Sequence, residues 1–487
     1  MLKPLTQAGD EAVAPDGKTP PSTKWVLASL SLSMLLSSLG TSIANVGLPA
    51  LAKVFAASFQ EVQWIVLAYL LAITTLIVSV GRLGDLAGRR RLLLLGLLLF
   101  TLASVLCGVA PTLWLLIAAR AAQGLGAAIM MALTMAFVGD AVPKNKTGSA
   151  MGLLGTMSAM GTALGPALGG TLIAGFGWRA IFLVNVPLGI LTFLLAYRAL
   201  PVDRQGSADR AGFDRVGTLL LGTSLAAYAL AVTVGRGRFT GLNLVLLLAA
   251  VLAGGLFVVV EARVASPLIR LAAFRNAVLS SSLAMNALVS TVMMATLVVG
   301  PFYLSRALGL GEAQVGIVMS AGPIISALSG VPAGRGVDRW GAAVMTTAGL
   351  VVMATGLSAL ALLPGVLGVA GYVAAIALLT PGYQLFQAAN NTAVMRDVAP
   401  ERRGVVAGLL SLSRNLGLVS GASAMGAVFV LASGTSDIAS AHPGAVASGM
   451  RFTFAAATLL IIVALAIAAG SRALAPRPAL DAAREEA

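Results

Sequence analysis

Charged side chains are scarce in this chain. Asp, Glu, Lys and Arg make up 10% of its 487 residues, where a water-soluble domain carries about 25%. A soluble globular protein is excluded on that ground. Histidine and cysteine occur once each, at His442 and Cys107. A single cysteine cannot close an intramolecular disulfide, and a histidine metal cluster is excluded. No metal and no cofactor are expected. No Gly-x-x-x-x-Gly-Lys-Ser/Thr stretch occurs, which disfavours an ATP-driven pump. A membrane enzyme would need convergent acids, histidines or a nucleophile with its base. It stays a remote alternative.

What is present is apolar. The chain is 58% hydrophobic, with a mean hydropathy of +0.94. Apolar runs of about 20 residues, the length that crosses the hydrocarbon of a bilayer, recur from end to end. The expected fold is an all-α integral membrane protein with fourteen transmembrane helices. They fall near 25–48, 61–80, 92–110, 112–138, 149–174, 179–200, 216–234, 240–260, 277–303, 313–333, 342–363, 365–393, 404–432 and 451–471.

The net charge of +14 does not point to nucleic acid, because the basic residues fall in alternate short loops rather than in one patch. With both termini in the cytoplasm, 24 of the 32 Lys and Arg lie on the inside. A miscounted span would scramble that alternation, so it supports both topology and orientation. The N-terminal stretch shows no cleavable signal pattern. The Arg-over-Lys and Ala/Gly-rich bias suggests a bacterium of high GC content, and the expected location is its cytoplasmic (inner) membrane.

The chain repeats itself. Gly81-Arg-Leu-Gly-Asp-Leu-Ala-Gly-Arg-Arg-Arg91 returns in reduced form as Gly334-Arg-Gly-Val-Asp-Arg-Trp-Gly341. Asp85 and Asp338 occupy matching places. Gly152 to Gly161 resembles Gly408 to Gly417, each after an inside loop that begins Asp-x-x-Pro. Two pseudo-symmetric six-helix bundles with two extra central helices account for this. The expected division is 1–24 a cytoplasmic tail, 25–200 the first bundle, 201–276 a linker with the extra helices, 277–471 the second bundle, and 472–487 a second cytoplasmic tail. Repeats of this kind place a substrate site between the bundles near the midplane.

Span 5 carries Gly161-Thr-Ala-Leu-Gly165-Pro166-Ala-Leu-Gly169-Gly170. Glycine at every fourth position makes a smooth face for close helix approach, and Pro166 removes a backbone hydrogen bond and is expected to bend the helix.

With these residues in view, the chain resembles the fourteen-helix drug:proton antiporter group of the major facilitator superfamily. Gly81 to Arg91 matches that group's first basic-loop motif. Arg120-Ala-Ala-Gln-Gly-Leu-Gly126 matches its fourth-helix motif, and Gly161 to Gly170 its antiporter motif. Trp178-Arg-x-x-Phe-x-x-Asn-x-Pro187 and Gln63-Trp64 also fit. The resemblance covers all fourteen spans. It implies a monomeric secondary exporter that works by alternating access, expelling small-molecule drugs across the lipid bilayer in exchange for protons.

The resemblance also suggests roles. Asp85 and Arg89, framed by Gly81 and Gly88 and echoed by Asp338, would latch one conformation. A carboxylate can accept from helix N-terminal amides and pair with arginine, although topology-fixing charge alone would look the same. Arg120, with Gln123, would couple protons or substrate, since an ionisable residue at that depth is costly unless it faces protein or water. Arg414 and Asn415 in span 13 invite the same reading. For both arginines a structural role, bonded to backbone carbonyls, is the alternative.

One position departs from the pattern. The group commonly has an aspartate in span 1, and here Leu39-Gly40-Thr41 stands there. No Asp or Glu falls at mid-depth in any span, so if proton coupling persists, Asp85 or Glu61 would have to carry it. The central field is positive, which favours neutral, zwitterionic or anionic substrates over permanent cations. Polar lining is expected from Ser38, Thr41 and Asn45 in span 1, and from Asn286 in span 9. Span 12 adds Tyr383, Gln384, Gln387, Asn390 and Asn391. The competing reading is an exporter of an endogenous metabolite, siderophore or lipid-like compound, with or without proton coupling.

Overall fold

A computed structural model describes residues 23–141, 147–201, 214–234, 240–264, 267–269, 271–395, 403–435, 437–438 and 440–474. The first bundle holds α1 (Thr23–Val46), α2 (Leu48–Val54), α3 (Phe59–Ala87), α4 (Arg89–Val109), α5 (Leu113–Ala141), α6 (Thr147–Phe176), α7 (Ala180–Leu183) and α8 (Asn185–Ala199). Two further helices follow, α9 (Arg215–Thr233) and α10 (Gly241–Glu261). The second bundle holds α11 (Ala277–Phe302), α12 (Glu312–Trp340), α13 (Ala342–Leu362), α14 (Pro364–Met395), α15 (Arg403–Ser420), α16 (Gly426–Ser433) and α17 (Pro443–Leu474). A π-helical turn at Tyr303–Ala307 extends α11, and another at Gly421–Met425 joins α15 to α16. Fourteen of these helical stretches are long and apolar enough to cross a membrane.

The expected spans match the observed ones closely, and the largest differences have physical causes. Span 10 continues to Trp340, because Pro332 costs its helix one hydrogen bond without ending it. Span 14 begins at Pro443, eight residues before Arg451. Proline is well suited to a first helical turn, and Arg451 therefore lies within the helix rather than at its edge. Pro166, expected to bend span 5, lies within an uninterrupted α6.

The two halves share their local geometry. α3 and α12 each have 29 residues, and α4 and α13 each have 21. Each pair is joined by one glycine at positive φ, Gly88 at 92° and Gly341 at 82°. Only glycine adopts that conformation without strain, which explains why the repeated basic loop keeps a glycine between its helices.

Apolar side chains surround the assembly because they face lipid rather than water. On α10, Leu244, Val245, Leu248, Val251 and Leu252 are all exposed. α10 lies at the periphery against α9, tied by Ser224 Oγ donating to Ala250 O at 2.9 Å. α9 packs in turn on α3, through a 2.8 Å hydrogen bond between the Ser79 and Thr218 hydroxyls.

Candidate functional site

The central feature of the first bundle is Arg120 on α5, which is 0% exposed. Its Nε donates to Ile65 O at 2.9 Å, and its Nη1 to Gly40 O at 3.0 Å and to Gln123 Oε1 at 2.5 Å. Gln123 Nε2 passes the network on to Ser104 Oγ at 2.7 Å. The guanidinium lies over the Tyr69 ring, 4.1 Å from its centroid, and 5.9 Å from that of Phe182. A planar cation accepts ring faces and carbonyls together where an ammonium would be less well matched. Arg120 Nη2 has no hydrogen-bond partner.

No carboxylate is among Arg120's hydrogen-bond partners. Its nearest backbone acceptor on α1 is the carbonyl of Gly40, at the position where an aspartate was expected by resemblance. A Cβ at residue 40 would come within 3.1 Å of Tyr69 Oη and 3.2 Å of Phe100 Cζ. Glycine here leaves room for the aromatic packing and leaves the arginine's charge balanced by dipoles and rings alone. Tyr69 and Ser104 were not visible as partners in the sequence, because no spacing rule connects residues on three different helices.

The antiporter-motif glycines divide between two neighbours. Gly161, Gly165 and Gly169 face α1, where a Cβ would collide with Leu35 O, with Ser42 and with Val46 respectively. Ser42 Oγ donates to Gly161 O at 3.1 Å, fastening that contact. Gly170 instead faces the second bundle, and a Cβ there would lie 2.7 Å from Gly316 Cα. The carbonyl of Pro166 also faces Gly316.

Other contacts between bundles lie in the same halves of the helices, away from the terminal side. Gln63 Nε2 donates to Ala422 O at 2.6 Å. The Phe59 ring packs against Phe302 at 4.8 Å and Phe429 at 5.2 Å. Trp64 Nε1 donates to Thr233 Oγ1 on α9 at 3.2 Å. The Gln63-Trp64 pair thus reaches the second bundle with one residue and the added hairpin with the other.

In the second bundle the expected lining residues mostly knit helices together. Asn286 Nδ2 donates to Leu410 O on α15 at 2.9 Å, and Asn390 Nδ2 to Ser282 O on α11 at 3.4 Å. Gln384 bonds Ser326 on α12, and Gln387 Nε2 donates to Tyr383 Oη at 3.1 Å. Several polar atoms in this region are buried without a partner: Gln387 Oε1, Asn390 Oδ1, Asn415 Nδ2 and Ser290 Oγ. Such orphans are uncommon in folded proteins and mark places where a ligand or water completes the bonding. Arg414, next to Asn415 in sequence, is half-buried, and Asn391 is exposed. On α1, Ser38 bonds Ser158 at 2.6 Å, and Thr41 and Asn45 bond the preceding turn.

The latch residues are placed in part. Gly81 and Asp85 lie on α3, and the side chain of Asp85 lies outside what is described. Gly88 forms the turn, Arg89 opens α4, and Asp338 is exposed near the end of α12. Glu61, weighed as a proton carrier, sits in a capping box, where its Oε2 accepts from Ser58 N and Ser58 Oγ, each at 2.7 Å. That arrangement satisfies helix-end donors and gives Glu61 a structural task at the start of α3.

Residues 30–422 match the sequence model of the Major Facilitator Superfamily. The chain belongs to that superfamily. Riboflavin transporter RibZ of Clostridioides difficile (strain 630) is 30% identical over 455 residues, spanning 91% of this chain and 97% of that protein. Multidrug resistance protein Stp of Mycobacterium tuberculosis (strain CDC 1551 / Oshkosh) is 33% identical over 415 residues, spanning 82% of this chain and 75% of that one. A bacterial homologue of the human lysosomal transporter Spinster, solved inward-facing and unoccupied, matches with a TM-score of 0.69 at 17% identity, covering 95% of this chain and 100% of that one. That last likeness shows the fold. As a member of the major facilitator superfamily, this many-span membrane protein is a transporter, and the superfamily's members are not enzymes.

Proposed function

We propose that this transporter is an exporter that works by alternating access, expelling a broad range of neutral and anionic small molecules in exchange for protons. The observation that carries the charge preference is Arg120. It is fully buried, its bonding partners are neutral, and among the described residues no carboxylate stands at mid-depth in a span. A permanent cation would enter this positive field without an acid to pair it, whereas an anion or a neutral acceptor gains from it. The relatives named for multidrug resistance support export.

The cycle follows from the two-bundle architecture. Contacts at Gly170, Gly316, Gln63 and Phe59 close one side, and rocking of the bundles would open it. We assign Asp85 and Arg89, with Gly81, Gly88 and Asp338, to the latch that holds one state. Arg120, Gln123, Arg414 and Asn415 are assigned to coupling or substrate. The orphaned polar atoms of α11, α14 and α15 are assigned to substrate contact. Both termini and the basic loops lie on the cytoplasmic side of a bacterial inner membrane in this reading, which the loop charge asymmetry supports.

A second reading is favoured by one specific observation, the relative named a riboflavin transporter. In it the cargo is an endogenous, uncharged metabolite of that type. One experiment tests both. Everted vesicles carry a respiratory pH gradient, and a pH-sensitive dye is followed while lipophilic cations, neutral drugs, organic anions and riboflavin are added. Dequenching by neutral or anionic compounds, absent from empty-vector vesicles, is the expected result. Dequenching by cations alone would overturn the charge preference. Efflux without any dequenching would overturn proton coupling.

A further inference from the structure

The hairpin of α9 and α10 brings two carboxyl groups together at one end. Asp214 caps α9, with Oδ1 accepting from Gly217 N at 2.7 Å. Glu261 is the last residue of α10, and its Oε2 accepts from Ile269 N at 2.9 Å in the segment leading to α11. Each acid thus has one engaged oxygen. The other oxygens, Asp214 Oδ2 and Glu261 Oε1, are buried and have no hydrogen-bond partner. The residues are 8% and 3% exposed respectively.

The two free oxygens share one space. A Cβ added at Gly217 would lie 2.5 Å from Asp214 Oδ2 and 2.6 Å from Glu261 Oε1. Both free oxygens therefore border one small space, and glycine at 217 leaves that space open.

Two buried carboxylates that face one small space disfavour each other's ionisation. A protonated carboxyl becomes a donor, and its ionised neighbour is an acceptor. A single proton between them therefore satisfies both orphaned oxygens. A hard metal ion fits less well, because calcium takes 6–8 oxygen ligands and magnesium an octahedron of them. Among the described residues no third acid or histidine joins a metal-binding group here.

Among the described residues the charged groups around the pair are few; Arg270, which follows Ile269, lies outside them. On α9 the other ionisable residues are Arg215 and Tyr228, and α10 has Glu261 alone. Arg263 and Arg275 lie in the segment that follows, and the π-turn at Gly421–Met425 that touches α9 has none. The inner end of α3 contributes Arg82 and Asp85, whose side chains lie outside the described residues.

We propose that Asp214 and Glu261 form a binding site for one shared proton, at the end of the hairpin that faces the same side of the membrane as the termini. The site is connected to the transport machinery. Thr218 Oγ1 donates to Asp214 O at 2.7 Å and bonds Ser79 Oγ at 2.8 Å. Ser79 lies less than two turns before Asp85 on α3. Loss of the proton sets two like charges against each other at that junction and loosens the hairpin from α3. The hairpin thereby reads the pH of that side. This holds whether or not export is proton-coupled.

The test uses the purified full chain in lipid nanodiscs and needs no transport. Infrared spectra in water and D2O report the carbonyl stretch of a protonated carboxyl group, and thermal unfolding is followed across pH. The wild type is expected to show such a band at neutral pH, lost in both Glu261→Gln and Asp214→Asn. Its melting temperature is expected to fall as pH rises through the pair's titration. Release of the shared proton leaves two facing carboxylates, so the pair's stabilisation is lost on the alkaline side, with a limiting slope of about one proton. Glu261→Gln supplies an amide donor to Asp214 and flattens that slope. The same band in wild type and both variants would overturn the proposal, as would a bound metal ion at the pair. Should neither variant fold, absence of any protonated carboxyl band from the wild type overturns it equally.

Discussion

Arg120 and Arg414 look alike in the sequence and are unlike in the structure. Each is an arginine well inside an apolar span, in matching surroundings of small and polar residues. Arg120 is completely buried, bonded to two backbone carbonyls and a glutamine, and covered by Tyr69. Arg414 is half-buried, between the buried residues Ser413 and Asn415. Depth along a helix is thus a poor guide to environment. What differs is the face of the helix and the presence of neighbours that can turn carbonyls toward it. The first arginine ties three helices of its bundle together, while the second keeps part of its surface open.

The sharpest way to break this contrast is to remove each guanidinium. Arg120→Ala strands Gln123 Oε1, at about 1–3 kcal/mol for a buried group left unpaired, and removes the guanidinium's added bonds to the helical carbonyls of Gly40 and Ile65. Loss of monodisperse protein and of transport is expected, measured by size-exclusion profile and vesicle assay. Arg414→Ala is expected to shift stability by no more than about 0.5 kcal/mol while reducing efflux of anions. Equal melting temperatures for the two variants would erase the distinction.

Close packing of α6 on α1 is tested next. Gly165→Leu drives a side chain into Ser42 on α1, and overpacking costs about 1–3 kcal/mol. The melting temperature should drop, whereas Gly155→Ala, with nothing within 4 Å of its added Cβ, should leave it unchanged. A drop of similar size in both would show that α6 has no preferred face.

Gly40→Asp sharpens the electrostatic half of the comparison. The new carboxylate would stand beside the Arg120 network, at some steric cost against Tyr69 Oη. Preference for lipophilic cations over anions should rise by about tenfold, the equivalent of about 1.4 kcal/mol. An unchanged ratio of efflux rates would show that the charge of Arg120 does not reach the cargo.

The smallest effect is expected at the seam between bundles. Gln63→Leu removes one hydrogen bond to Ala422 O, worth about 0.6 kcal/mol in a membrane protein. A roughly threefold change in the balance of open and closed states follows, readable by distance measurements between spin labels on the two bundles. No change would place the closure energy in the Phe59 cluster and the Gly170 contact instead.

Much of this molecule was legible in its residues. The fourteen spans follow from apolar run length, which the bilayer itself sets, so no tertiary information is needed to count them. The glycine stripe of α6 was legible as a packing face, because four-residue spacing returns to one side of a helix. Its division between α1 and the second bundle was not, since Gly169 and Gly170 are adjacent in sequence and face different partners. Glu61 reads in the sequence as a candidate proton carrier, and only the geometry places it in a capping box with Ser58. Asp214 and Glu261 are not legible as a pair in the sequence. Their 47-residue separation hides that the hairpin returns one to the other.

The sequence by itself determined the membrane location, the number of spans, the internal repeat and the scarcity of acids in their middle. These are properties of composition and period, which any fold of the chain must respect. The tertiary structure alone decided which polar groups are spent on holding helices together and which are left open. That distinction is set by packing across helices, in a medium without water where each buried donor and acceptor must find its partner within the protein.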